Sequence, residues 1–165
     1  MVLTFDGWIL DVDIEKTMAY CRQISLDYCQ CGYCRNYRTA VDQIHPDLRI
    51  FLASFGRSME TPDELMPFEP TLYEATYCIS GMILQKGEEW IRLNSMDLRL
   101  LEQSELDFDT ECPGPCFALV TPLIQLPWVL DEDMDEVISP ANEPEYLQRM
   151  WNKLLQKAPE ENTYS

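Results

Sequence analysis

Basic residues, histidine and glycine are scarce in this chain. Its 165 residues include 12 lysines and arginines against 29 aspartates and glutamates, so the formal net charge at neutral pH is −17. A negative field of this size repels nucleic acids and anionic membrane surfaces, and it favours a basic protein as the partner. The single histidine, His45, lies directly before Pro46. A nucleophile–histidine relay would depend on that one side chain, so hydrolase chemistry gets little support.

Long apolar runs are also missing. No segment approaches the roughly 20 apolar residues that span a bilayer, and the first residues lack the pattern of a secretory signal. We therefore expect a cytoplasmic protein. Its cysteines are seven, an odd number, which argues against a complete disulfide framework and favours free thiols or a metal site. Few glycines and no flexible linker predict one globular domain over residues 1–159, followed by a frayed polar tail at 160–165.

Helical spacing of apolar residues dominates the first third of the chain. Asp13 can cap the first of three predicted helices, Pro46 can open the third, and Gly56 can end it. The capping-box spacing from Thr61 to Glu64 predicts a further helical turn over residues 62–66. The apolar stripes of the three helices are Ile14, Met18, Cys21 and Ile24; Tyr37, Ala40, Val41 and Ile44; and Leu48, Phe51, Leu52 and Phe55.

From Tyr73 onward the apolar period becomes two, which predicts a strand with Tyr73, Ala75, Tyr77 and Ile79 on one face. Further strands are predicted at 90–93 and 96–101, and an edge or bent strand at 117–130 because of its prolines. A capping box at Asn142 begins a helix that extends to Ala158. The predicted fold is α+β, with N-terminal helices, then an antiparallel sheet of about three to five strands, and a C-terminal helix docked on it.

Three cysteines, Cys29, Cys31 and Cys34, lie within six residues where an extended segment meets a helix. Helix-terminal amides and the nearby arginines Arg35 and Arg38 would favour thiolate over thiol. A closed structural zinc site needs four ligands, and the tight Cys112-Pro113-Gly114-Pro115-Cys116 turn offers a second pair. The sequence therefore predicts a zinc site formed by Cys31, Cys34, Cys112 and Cys116.

Two other interpretations of these thiols stay open. A C-x-x-C pair before a helix is also how thioredoxin-like proteins display a dithiol, although the βαβ context of that motif is absent here. Alternatively, the thiols are small buried apolar groups. Near the end of the sheet region, the acidic run at 131–136 follows Trp128, and an exposed aromatic residue beside carboxylates would suit an arginine-rich partner. Trp128 can equally be a core residue.

The cysteine segment resembles a loose group of small, uncharacterised bacterial proteins with a Cys-x-x-Cys-x-Asn-Tyr pattern. The matching residues are Cys31, Cys34, Asn36 and Tyr37, with Phe55-Gly56 and Pro127-Trp128 as weaker similarities. The resemblance implies a bacterial origin and no agreed activity, and Cys29 is an addition to the pattern. We expect a non-catalytic protein-interaction module, such as an immunity-type or inhibitor-like protein, with a structural zinc ion. The alternative is a thiol-disulfide oxidoreductase or redox sensor.

Overall fold

The computed structural model describes residues 1–26, 29–69, 71–94 and 96–133. These contain seven strands, three α-helices and one short 3-10 helix. In chain order they are β1 (Val2–Phe5), β2 (Trp8–Val12), α1 (Ile14–Leu26), α2 (Gly32–Ile44), α3 (Pro46–Ala53), β3 (Glu64–Glu69), β4 (Leu72–Gln85), β5 (Ile91–Leu93), β6 (Met96–Glu102), the 3-10 helix (Gln103–Glu105) and β7 (Cys116–Gln125). None of the helices in these ranges is long and apolar enough to cross a membrane.

All seven strands form one antiparallel sheet in the order β1-β2-β4-β7-β6-β5, and β3 also pairs with β4. The 14-residue β4 organises this sheet. One of its edges pairs with β7, whereas the other pairs first with β3 and then with β2. The change of partner falls next to Gly81, which pairs with Val12 and has a φ of 150°.

The N-terminal hairpin follows from the Asp6-Gly7 dipeptide. Phe5 pairs with Trp8, so only two residues form the loop. Both have positive φ, 48° and 81°, which is the conformation that a two-residue type I′ turn requires. The dipeptide is a strong hairpin signal, yet the sequence analysis did not predict this hairpin.

The main core lies between the helices α2 and α3 and one face of the sheet. The rings of Tyr37 and Tyr73 are 5.6 Å apart, and those of Phe55 and Phe117 are 6.4 Å apart. The hydroxyl of Tyr77 donates to the carbonyl oxygen of Met59, so the Tyr37 hydroxyl donates to Tyr77, at 2.5 Å. The predicted face of β4 is confirmed, because its four residues Tyr73, Ala75, Tyr77 and Ile79 all belong to this core.

A second, smaller core lies against the opposite face of the sheet. It contains Tyr20 of α1 together with Cys78, Cys112, Cys116 and Ala118. The strand period explains the separation, because Cys78 points away from its neighbours Tyr77 and Ile79. The molecule thus buries apolar side chains on both faces of β4.

The predicted fold class is correct in being α+β but wrong in its details. The sheet has seven strands instead of three to five, and two of them precede the helices. Residues 64–66, predicted to be helical, belong to β3, where Pro67 is tolerated because β3 pairs on one side only. The predicted C-terminal helix and the tail at 160–165 lie outside the described residues. Within the described ranges, the helices packed on the sheet all precede β3, and no C-terminal helix is docked on it.

Candidate metal centre

The candidate site is a cluster of three cysteine thiols at the N-terminus of α2. The Sγ atoms of Cys29, Cys31 and Cys34 all lie within 4.8 Å of one another. Cys29 is exposed, Cys31 is half-buried and Cys34 is buried. We call these three residues the cysteine cluster. It opens to solvent on the side of Cys29, so an ion could enter there.

Helix initiation brings the three thiols together. Cys31 is the N-cap of α2, with extended backbone angles, and Cys34 is the third residue inside the helix. Side chains at these two positions meet at the start of a helix, as they do in a capping box. Cys29 is added by the preceding loop, and the backbone N–H of Cys31 donates to its sulfur at 3.5 Å.

The electrostatics of the cluster favour thiols until a cation binds. Burial raises the pKa of Cys29, although the N–H of Cys31 opposes this effect. The hydrogen bond with Cys31, together with burial, raises the pKa of Cys34 strongly. Adjacent sulfurs cannot easily ionise together, because like charges at short range repel. A bound metal ion would reverse this balance, and the first-turn amides of α2 would further stabilise thiolates.

The spacing of the sulfurs fits a thiophilic ion. With metal–sulfur bonds of about 2.3 Å, two sulfurs are about 3.8 Å apart in a tetrahedral site and about 4.0 Å apart in a trigonal one. Both values lie inside the 4.8 Å limit of the cluster. Thiolates are soft ligands that select ions such as Zn²⁺ and Cu⁺ over Mg²⁺ and Ca²⁺. The cluster can therefore supply three ligands of a four-coordinate zinc site.

The other two predicted ligands lie elsewhere in the fold. Cys112 and Cys116 are both buried in the second core, beside Cys78. Burial, with the neighbouring Cys116, raises the pKa of Cys112 to about 12. The structure thus groups Cys31 and Cys34 with Cys29, and groups Cys112 with Cys116, in clusters against opposite faces of the sheet. The zinc site over Cys31, Cys34, Cys112 and Cys116 stays a prediction.

Asn36 is a site residue whose role the sequence analysis missed. It is fully buried, and its amide nitrogen donates to the Tyr73 hydroxyl and to the Pro127 carbonyl, each at 3.1 Å. Its side-chain oxygen accepts from the backbone N–H of Val129 at 2.8 Å. Asn36 therefore fastens the segment after β7 to the helix that carries the cysteines. The sequence does contain a signal for this role of Asn36, because it is a polar residue beside Tyr37 on the apolar stripe of α2.

Arg35 makes a second connection between the cluster and that segment. Its Nε–H donates to the Gln30 carbonyl at 2.9 Å, and its two terminal nitrogens reach the carboxylate of Glu132 at 2.5 and 2.7 Å. These hydrogen bonds hold the pKa of Glu132 below its usual range. The Trp128 indole N–H in turn donates to the Glu132 carbonyl at 3.0 Å. Trp128 is half-buried, and the polar end of its side chain is hydrogen-bonded within its own turn.

His45 is far from the cysteine cluster. It lies at the C-terminal end of the 13-residue α2, whereas the cysteines lie at the N-terminal end. A helix of that length separates its two ends by about 20 Å. A cysteine–histidine relay through this cluster is therefore excluded by distance.

Comparison with known proteins adds no relative to this picture. No protein family, curated protein or solved structure matches the chain. The cysteine cluster and its contacts therefore carry the functional interpretation on their own geometry.

Proposed function

We propose that this protein is a non-catalytic, acidic protein-interaction module with a structural zinc ion held by Cys29, Cys31 and Cys34. The observation that supports it best is the convergence of three sulfurs within 4.8 Å at the start of α2. The fourth ligand that closes a structural site would come from the partner protein, and water would occupy that position until the partner binds. We place the protein in the cytoplasm, where reduced thiols persist, because none of the seven cysteines forms a disulfide.

The proposed partner is a basic protein. The net charge of −17 would speed the encounter with a cationic surface and would repel polyanions. The exposed acids Asp131, Glu132 and Asp133 add local negative charge beside the cysteine cluster. Capture of a basic protein from lysate should therefore weaken as salt rises from low to moderate concentration, and failure to retain any basic protein at low salt would contradict this role.

Zinc content is the direct test of the metal site. Protein purified under reducing conditions without chelator should contain one zinc ion per chain by elemental analysis. Each of the substitutions Cys29→Ser, Cys31→Ser and Cys34→Ser should weaken zinc binding by at least about 10-fold, because it removes a soft ligand. Competition with a chromophoric chelator measures this loss. The double variant Cys112→Ala and Cys116→Ala, which keeps the second core apolar, is the control and should retain full affinity.

Each contrary result has its own meaning. Zinc content near zero, with reduced thiols, would reject the metal site. Equal losses from the control variant and from Cys31→Ser would support the four-cysteine site instead. Substitution with Co²⁺ adds an independent readout, because the intensity of sulfur-to-cobalt charge-transfer bands reports the number of bound thiolates.

The second candidate function is a thiol-disulfide oxidoreductase or redox sensor that uses Cys31 and Cys34. Its support is the contact between these two thiols in a partly exposed site. The raised pKa of Cys34 is unfavourable, because reactive dithiols normally contain one thiol with a lowered pKa. Alkylation rates of the apo-protein measured against pH separate the two functions: a thiol that titrates below pH 7.5, with turnover in an insulin-reduction assay, would support the redox function.

A further inference from the structure

We infer that residues 126–133, which we call the strap, are coupled to the cysteine cluster, so that metal binding and seating of the strap on α2 stabilise each other. In this scheme Arg35 and Glu132 are positioning residues for the metal site. The inference rests on the proposed zinc function and adds the means by which the ion would control a surface of the molecule.

The first half of the strap is bound firmly. Leu126 is 1% exposed, and its N–H donates to the Thr71 carbonyl at 2.8 Å. Asn36 then holds the carbonyl of Pro127 and the N–H of Val129. All of these anchors lie in or directly beside the main core, so this half of the strap stays fixed whether or not an ion is bound.

The Arg35 guanidinium group holds the second half of the strap. Both terminal nitrogens of Arg35 bind the Glu132 carboxylate, and the Trp128 indole closes the turn onto the Glu132 carbonyl. The Arg35 and Glu132 side chains are 33% and 48% exposed, and a pair at this exposure is weak unless its geometry is fixed in advance. The orientation of Arg35 therefore decides whether this half is seated.

The same guanidinium is also held by the loop of the cysteine cluster. Its Nε–H binds the carbonyl of Gln30, the residue between Cys29 and Cys31, and Arg38 fixes the Gln30 side chain at 2.9 Å. An ion bound to both flanking cysteines would immobilise the Gln30 carbonyl. Arg35 would then be oriented towards Glu132 before the strap seats. The conformational entropy of Arg35 would be lost once, on metal binding, and not again when the strap seats.

Thermodynamic reciprocity makes the coupling measurable from either side. If zinc favours the seated strap, a seated strap must raise the affinity for zinc by the same factor. Glu132→Gln removes the carboxylate charge while keeping the size of the side chain. Asp131→Asn, at the exposed neighbouring position, removes the same charge and is the matched control for simple electrostatic attraction of the cation.

The experiment measures the zinc dissociation constant of the full chain by chelator competition. Glu132→Gln should weaken binding about 5- to 10-fold, at the lower end of typical coupling factors. Asp131→Asn should change it less than about 2-fold, because an exposed charge outside an ion pair is screened by salt. Both substitutions are on the surface, so the variants should fold like the wild type.

Hydrogen exchange measures the reciprocal effect at the strap. The Trp128 indole N–H, bonded to the Glu132 carbonyl, should exchange several-fold more slowly in the zinc form than in the apo-protein. In Glu132→Gln this difference should shrink. The amide of Leu119, in the middle of the sheet, should respond to zinc equally in both proteins and so reports global stabilisation.

The outcomes separate this inference from the function on which it rests. Zinc binding by the wild type, with equal affinities for Glu132→Gln and Asp131→Asn and an unchanged zinc effect at the Trp128 indole, would overturn the coupling and leave the metal site intact. Failure of the wild type to bind zinc would overturn both.

Discussion

At the residue scale, the molecule contains a charged pair inside its apolar interior. The side chains of Arg57 and Asp63 are 0% and 3% exposed and lie 3.1 Å apart. Arg57 also donates to the carbonyls of Thr61 and Cys78, while Asp63 accepts from the Tyr20 hydroxyl and the Cys78 N–H, at 2.5 and 2.7 Å. The pair joins α1, the segment before β3, and β4. Removing one partner of such a pair is costly, because the other charge is then left buried and uncompensated.

Asp63→Asn should destabilise the protein by about 3–5 kcal/mol, because it leaves the Arg57 charge buried without its counter-ion. Urea unfolding gives the free energy. Asp42→Asn breaks the exposed pair with Arg49 and should cost less than about 1 kcal/mol. Adding Arg57→Met to Asp63→Asn should recover part of the loss, since no charge then remains buried. Equal effects of Asp63→Asn and Asp42→Asn would contradict the argument.

Local sequence patterns predicted some contacts of individual residues and missed others. Cys31 and Cys34 could be paired from their spacing, because a helix fixes neighbouring positions in its first turn. Cys29 joins them through a loop conformation that no local pattern encodes. The spacing from Thr61 to Glu64 predicted a helix cap, but Asp63 instead binds the buried Arg57 and the backbone N–H of Cys78 in β4.

At the element scale, β4 determines how the sheet is assembled. Its pairing with β7 ends at Ser80 opposite Cys116, and its pairing with β2 begins at Gly81 opposite Val12. A Cβ atom at position 81 would lie 2.2 Å from the Asp11 carbonyl oxygen. Glycine is therefore required where the strand changes partner, both for its φ of 150° and for this close approach.

Gly81→Ala should lower the free energy of unfolding by more than about 2 kcal/mol, since β2 or β4 must shift to relieve the contact. Gly114→Ala is the control, because the nearest atom beyond its chain neighbours, Gln103 Oε1, would lie 3.8 Å from the new Cβ. Thermal unfolding followed by circular dichroism compares the two. A Gly81→Ala protein as stable as Gly114→Ala would show that the space between β2 and β4 accommodates a Cβ atom at position 81.

Most of the elements that were predicted correctly have a sequence with a clear apolar period. The helices α1, α2 and α3 and the strand β4 have stripes that local burial explains, and β5 and β6 match the strands predicted at 90–93 and 96–101. β1 and β3 have only 4 and 6 residues, too few to show a clear period. Each is one arm of a hairpin with the next strand along the chain, and its own side-chain pattern does not reveal that pairing.

At the scale of the whole molecule, thiols are distributed over both faces of the sheet. The cysteine cluster lies at an opening to solvent, whereas Cys78, Cys112 and Cys116 are sealed in the second core. Burial is the main reason why the pKa of each of these three thiols is raised. The two groups should therefore respond differently to pH. In the cysteine cluster pH changes the binding of metal, whereas in the second core it changes the stability of the fold.

The second core should make the folded protein sensitive to alkali. The folded pKa values of its thiols lie above the ordinary 9.0, so the folded state keeps protons that the unfolded chain loses. Their contribution is complete below pH 9 and declines as the pH rises above it, by up to about 1.4 kcal/mol per pH unit for each thiol. Urea unfolding at pH 8, 9 and 10 should show this decline, and Cys78→Val should reduce its slope, because it removes one of the thiols that titrate. A free energy of unfolding that is constant from pH 8 to 10 would mean that these thiols are not protonated groups sealed in a core.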